Sequence, residues 1–197
     1  MTYYYNGSKI QTPYTITSNE PIWSTTTVSM KEIRASQNAQ RWELDFEIIT
    51  KEASSIFLQG IKEVKSTTTM IMPQFPEVVE NTTATGTITT SSGNSAGATS
   101  IDLDTSVASG IISSGSFIKF DNHSKVYLVD GDVDLSGATA TLNIYPGLRA
   151  PVVIDRELEY GDDCTISYKK DATNVSGVTF TSGILVSPGN IRLIEAV

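Results

Sequence analysis

His123 is the only histidine in this 197-residue chain, so a histidine metal cluster or a Ser-His-Asp relay would have to converge on it. Its neighbours Asp121, Asn122 and Ser124 supply the carboxylate, amide and hydroxyl that such a site uses. The same residues, however, stand between the β-prone runs holding Phe117/Phe120 and Val126/Leu128, where Asp, Asn and Ser are ordinary turn formers. A hairpin tip is the favoured reading. Asp162-Asp163 with Glu157 and Glu159 offer paired carboxylates of the glycosidase kind. Yet Asp155, Glu157 and Glu159 interleave with Ile154, Leu158 and Tyr160, as on a strand with one solvated face.

Asp130-Gly-Asp-Val-Asp-Leu-Ser136 begins like a calcium loop. It lacks the closing Glu and flanking helices, which excludes an EF-hand and favours a surface turn over a weak Ca²⁺ or Na⁺ site. Ser91-Ser-Gly-Asn-Ser-Ala-Gly97 is glycine-rich, but no Lys and no helix follow to cradle phosphate. Cys164, the only cysteine, excludes an internal disulfide and a multi-cysteine zinc site; in Cys164-Thr-Ile-Ser-Tyr168 it reads as a small buried hydrophobe. No active site emerges. The chain is expected to be no enzyme, with no cofactor and no metal.

Residues without chemistry must still be positioned, and composition says by what. Hydrophobic residues make up 39% and charged ones 18%, with abundant Thr, Ser and Gly, the flavour of a globular all-β chain with many turns. The formal charge of −8 leaves no basic patch to neutralise phosphates, so direct nucleic-acid binding is not expected. No apolar run approaches a bilayer span, and the N-terminus lacks the basic and apolar regions of a signal peptide. The expected setting is a reducing cytosol.

The strongest local signal is Arg41–Ile49. Trp42, Leu44, Phe46 and Ile48 form an apolar stripe, expected as structural core, while Arg41, Glu43, Asp45 and Glu47 form the wet face. With Thr25–Ala35 and the polar turn 36–40 it predicts an antiparallel hairpin, preceded by an N-terminal arm or edge segment. Thr50 then N-caps a helix whose apolar face is Ala53, Ile56, Phe57, Ile61 and Val64, with Gly60 at a close contact. A strand Thr67–Met72 and the prolines Pro73 and Pro76 follow. From Thr82 to Gly147 five short strands (86–90, 99–103, 116–120, 125–129 and 139–145) suit a small closed barrel of the oligonucleotide/oligosaccharide-binding (OB) type. Longer strands return at 152–159, 164–170, 177–181 and 190–196, with a polar turn at 170–177.

The run from Gly115 through Phe117, Phe120, His123, Lys125-Val126-Tyr127 to Tyr145-Pro146, together with the order Trp42 strand, helix and Met72-Pro-Gln-Phe75, resembles the distal tail (Dit) proteins of long-tailed bacteriophages. The similarity spans about residues 25–197 and is strongest at 115–148. It implies a mainly β fold with one short helix: a discontinuous ring-forming, tail-tube-like domain (1–80 plus 150–197) and an inserted OB-like barrel (82–147). It implies a structural virion protein at the phage tail tip, assembled in the host cytoplasm. Six copies would form a hexameric ring joining the tail tube protein to the tail-tip hub protein for tail assembly and DNA passage, built by the hairpin and the helix. Side fibres or host glycans are further partners it allows at the barrel. The acidic balance, repeated six times, fits a conduit along which DNA slides. Two other readings stand beside it: the baseplate ring protein of a contractile-tailed phage, and a carbohydrate-binding module acting through the barrel, with Phe117, Phe120, Tyr127 and Tyr145 as candidate stacking rings.

Overall fold

The computed structural model describes residues 2–36, 39–50, 52–173, 177–181 and 185–197. The fold is mainly β. In chain order the strands are β1 (Tyr4–Tyr5), β2 (Ser8–Asn19), β3 (Ile22–Thr26), β4 (Glu32–Ser36) and β5 (Arg41–Ile48); then come helix α1 (Ala53–Glu63), strand β6 (Thr68–Ile71) and helix α2 (Pro76–Asn81). The middle of the chain gives β7 (Thr85–Gly86), β8 (Thr89–Thr90), β9 (Ser100–Asp104), β10 (Ala108–Ser109), β11 (Ile111–Ile112), β12 (Phe117–Phe120), β13 (Val126–Val129), β14 (Val133–Asp134) and β15 (Thr139–Tyr145). The last strands are β16 (Leu158–Tyr160), β17 (Thr165–Lys170), β18 (Thr179–Thr181), β19 (Leu185–Ser187) and β20 (Asn190–Glu195). Two compact units divide them: Met1–Tyr5, Thr68–Tyr168 and Val197 form one, and Asn6–Thr67 with Lys169–Ala196 the other.

In the second unit β5 is central. It pairs antiparallel with β2 on one side and β20 on the other, so Leu44 faces Ile16 and Leu193, Phe46 faces Ile191, and Ile48 faces Ile10. The alternation of Trp42, Leu44, Phe46 and Ile48 puts all four on one side of the strand, and all four are buried. The register of β2 shifts between Gln11 and Thr15, around Pro13, whose missing N–H could not serve a regular ladder. Two expectations change here. The N-terminal segment, expected as an arm or an edge segment, is a twelve-residue strand paired with β5. The hairpin is β3 with β4, not 25–35 with β5, because β2 and β20 occupy both edges of β5. The expected turns at 36–40 and 170–177 lie partly outside the described residues.

The helix also departs from its expected outline. Glu52, not Thr50, is the N-cap of α1, and the Thr50 hydroxyl accepts the Glu52 N–H at 3.1 Å. Ile56, Gly60 and Glu63 form its buried side, three residues spaced for one helical face. Glu63 Oε1 accepts hydrogen bonds from Asn6 Nδ2 (3.0 Å) and Gln59 Nε2 (3.1 Å), which is how a carboxylate tolerates that position. A second short helix, α2, adds to the single one expected; Pro76 starts it with its φ already preset and no N–H to satisfy.

The other unit holds a closed antiparallel sheet in the order β16-β12-β13-β15-β9-β8. Its two ends meet: Leu158 N donates to Ile88 O at 2.9 Å and Thr90 N to Arg156 O at 3.0 Å. Closure removes both edges. Ile88, Ile101, Leu103, Ile118, Phe120, Tyr127, Val129, Leu142 and Ile144 fill the interior. Six strands stand where five were expected, and the boundary at 147 moves. The segment expected as a strand from Val152 to Glu159 is a strand only over Leu158–Tyr160, and it pairs with β12 inside the barrel, Phe120 opposite Leu158. The expected strand 86–90 is broken into β7 and β8. Beside the barrel, β6 and β17 pair, Met70 opposite Ile166.

Candidate assembly surface

Several of the residues that could have done chemistry have structural partners. His123 sits at the β12–β13 turn, half-buried, with Nδ1 2.9 Å from the Tyr127 hydroxyl and Nε2 3.4 Å from Pro151 O. The Tyr127 oxygen also accepts the Arg149 N–H at 3.1 Å. A consistent assignment has Tyr127 donating to Nδ1 and Nε2–H donating to Pro151, which clips the turn to the 146–151 loop. Burial holds the His123 imidazole below its ordinary pKa, against the raising effects of the Pro151 carbonyl and Asp121. Glu159 pairs with Lys119 at 2.7 Å, and Lys119 also donates to Thr165 Oγ1 at 2.7 Å. In the acidic loop, Asp132 Oδ1 accepts the Ser114 N–H and Asp134 Oδ1 the Ser136 N–H, each at 2.8–2.9 Å, so the carboxylates cap turns. Among the described residues no group of three or more His, Cys, Asp or Glu is placed to hold a metal. The 91–97 loop is tied down by Asn94 N to Val152 O (2.7 Å) and Gly97 N to Leu148 O (2.6 Å).

The barrel motif residues are mostly interior. Phe117, Phe120, Val126 and Tyr127 are fully buried and Lys125 nearly so; Tyr145 alone among the four candidate stacking rings is exposed, with Pro146 half-buried beside it. Gly115 has φ +85°, a left-handed conformation that L side chains rarely adopt, and a Cβ there would lie 3.3 Å from Val78. Cys164 is buried, and its carbonyl accepts the Met72 N–H.

What the second unit leaves uncovered is more telling. In the β3–β4 hairpin, Trp23 lies opposite Ala35 and Thr25 opposite Ile33, while Ser24 lies opposite Arg34 and Thr26 opposite Glu32. Strand alternation sorts these into two faces. One is Trp23, Thr25, Ile33 and Ala35; the other carries the Glu32–Arg34 ion pair at 2.8 Å. A dry face of that kind is normally packed, yet Trp23 is 52% and Ile33 45% exposed. At the tip Val28 and Met30 are exposed as well, held by Thr27 N to Lys31 O and Met30 N to Thr27 O, each 2.9 Å.

Helix α1 repeats the theme. Phe57, Leu58 and Ile61 fall on the side opposite Ile56, Gly60 and Glu63, and all three are exposed. The helix therefore buries one side and leaves a second, apolar side open to solvent. This corrects the expected single apolar face, which grouped Phe57 and Ile61 with Ile56; Ile56 is buried and the other two are exposed. Sequence reading missed the hairpin's dry face altogether. The signal was there in the matched parity of Trp23/Thr25 and Ile33/Ala35, obscured by starting a single strand at Thr25, inside β3, and carrying it through the 27–31 turn.

Glu43, expected on the wet face, is buried at 2% exposure. Arg192 donates to its Oε2, Arg41 Nε lies 3.3 Å from Oε1, and Asn19 Nδ2 donates to Oε1 at 2.7 Å. Burial raises its pKa, but these hydrogen bonds and the two guanidinium charges outweigh it and hold the carboxyl below its ordinary value.

Charge is partitioned between the units. Thr68–Tyr168 contains thirteen carboxylates and four basic residues, whereas Asn6–Thr67 with Lys169–Ala196 contains nine and ten. The acidity of the chain belongs to the barrel unit. The unit with the uncovered apolar faces is close to neutral, which lowers the electrostatic cost of packing copies together. No family model matches the chain, and no curated protein matches it either.

Proposed function

We propose that this chain is a structural ring component of a bacteriophage tail tip, of the distal tail type, joining the tail tube to the tail-tip hub. The observation that carries the reading is the amphipathic β3–β4 hairpin whose apolar face, centred on Trp23 and Ile33, has no cover among the described residues. An isolated two-stranded hairpin is marginal in water, and a contiguous exposed apolar face marks an interaction site. The exposed Phe57–Ile61 side of α1 supplies a second, different apolar surface in the same unit. Two unlike surfaces on one subunit suit a heterologous, head-to-tail contact, which repeats until a ring closes. The resemblance to distal tail proteins supplies the number six and the tube and hub partners. The OB-like barrel unit, which carries the acidity, then stands as an appendage of the ring, and the role is mechanical rather than enzymatic.

The test is light scattering coupled to gel filtration over a concentration series, alone and with the tube protein added, followed by electron microscopy of the largest species. Six-fold rings seen end-on are expected. A strict monomer at every concentration that also ignores the tube and hub proteins would sink the assignment.

A further inference from the structure

In the barrel unit, a cleft of about 250 Å³ opens between α2 and the turn that follows β16. Val78, Val79, Ala84 and the ring of Tyr160 make it largely apolar, and Asp162 stands at its rim, exposed. The hydroxyl protons along its wall are already spent. Tyr160 donates to Gly86 O at 2.8 Å and Ser116 to Ser113 O at 2.7 Å. Thr82 Oγ1 lies 3.3 Å from Ser116 Oγ, and with the Ser116 proton given to Ser113, Thr82 is the donor of that pair. What these hydroxyls still offer a guest is lone pairs, joined by the Asp162 carboxylate.

The elements around the cleft are net anionic, and the one cation on them, Lys119 of β12, is already paired with Glu159 of β16 at 2.7 Å. Glu77 and Glu80 lie on α2 and Asp162-Asp163 on the turn, and neither 73–118 nor 157–168 contains a lysine or arginine. Burial, then the charges of Asp163 and Glu157, keep the Tyr160 phenol above its ordinary pKa, which registers the same negative field. An apolar slot that presents acceptors and a carboxylate calls for a guest with an apolar stem and a head made only of donors. Among protein side chains that is a lysine or an arginine, and the flat aromatic wall selects the planar guanidinium, which stacks on rings and forks to carboxylates.

We propose that this cleft binds an arginine side chain of a partner protein, its methylenes against Val78, Val79 and Ala84 and its guanidinium between Tyr160 and Asp162. The contact is separate from the apolar surfaces of the other unit and stands whether or not those form a ring.

The test uses the full chain with methyl-labelled valine, titrated with N-acetyl-argininamide and, separately, with the uncharged N-acetyl-norleucinamide and with N-acetyl-lysinamide. Saturable shifts of the Val78 and Val79 methyls are expected with the arginine derivative in the millimolar range, at least fivefold weaker with the other two. Asp162→Asn, an exposed and conservative change, is expected to weaken arginine binding about tenfold while leaving the thermal midpoint in place. Equal binding of the norleucine derivative would reduce the cleft to a plain apolar hole. Preference for lysine, unchanged affinity in Asp162→Asn, or no saturable shift with any probe would each overturn the proposal.

Discussion

Trp23 stands directly across the β3–β4 ladder from Ala35, with about half of its surface open to solvent. The small partner leaves the indole ring without a cross-strand neighbour of its own size. A large aromatic presented in this way costs stability little to replace and costs an interface much, because Trp is among the residues that dominate binding energy.

Trp23→Glu is therefore expected to leave the unfolding free energy within about 0.5 kcal/mol of the parent, as for a surface change. Self-association should weaken at least tenfold, read by light scattering across a concentration series. Leu58→Glu on α1 is expected to do the same from the other surface. If both variants assemble like the parent, neither surface is the subunit contact.

The parts of this fold that were legible in sequence are those where one period dominates. Trp42 to Ile48 announced a strand with a dry face because four apolar residues alternate without interruption, and the 121–124 tip announced a turn through its side-chain chemistry. Pairing was not legible, since nothing in β5 itself says that β2 and β20, rather than the nearer β4, will take its edges. Glu43 was misread because its burial depends on Arg192, 149 residues away in sequence. The barrel's last strand was misplaced for a similar reason. Leu158–Tyr160 reads as an ordinary amphipathic strand, and only its register against Phe120–Ile118 places it in the closed sheet. One consequence is that a deletion ending at Tyr145 would strand Leu158 without its partner and expose the barrel's seam.

Trp42 tests the core of the second unit. It is 5% exposed, and its backbone N–H donates to Glu195 Oε2 at 3.0 Å, so it sits in both the packing and the polar closure of the sheet. Trp42→Ala keeps the backbone bond and empties the side-chain site, which typically costs about 3–5 kcal/mol. Urea denaturation should show the midpoint falling accordingly. Parent-like stability would mean the stripe is not the core.

His123 predicts a pH dependence near neutrality. Its native pKa lies below the ordinary 6.5, because burial between Phe120, Tyr127 and Pro151 disfavours the charged ring. The unfolded chain binds the proton more readily. The stabilisation from neutral His123 is thus complete above about pH 6.5 and declines as pH falls from there toward the lower native value. His123→Gln, which does not titrate, is expected to lose less stability than the parent between about pH 7 and pH 5. Identical slopes in urea denaturation series would refute it.

Glu43 predicts the acid side. Its carboxyl is held below the ordinary 4.5 by Arg192, Asn19 and Arg41, despite the opposing effect of burial. The unfolded carboxyl takes a proton first as pH falls. The stability contributed by ionised Glu43 is therefore fully present above about 4.5 and is lost as pH drops through that value toward the native pKa. Glu43→Gln keeps the shape and a hydrogen-bonding group but removes the charge that Arg192 and Arg41 face. The variant is expected to be less stable than the parent at pH 7, and the gap should narrow steadily below pH 4.5 as the parent loses the same charge. Thermal midpoints recorded from pH 7 to pH 3 check it, and a gap that stays constant over that range would show that Glu43 acts through its shape and not its charge.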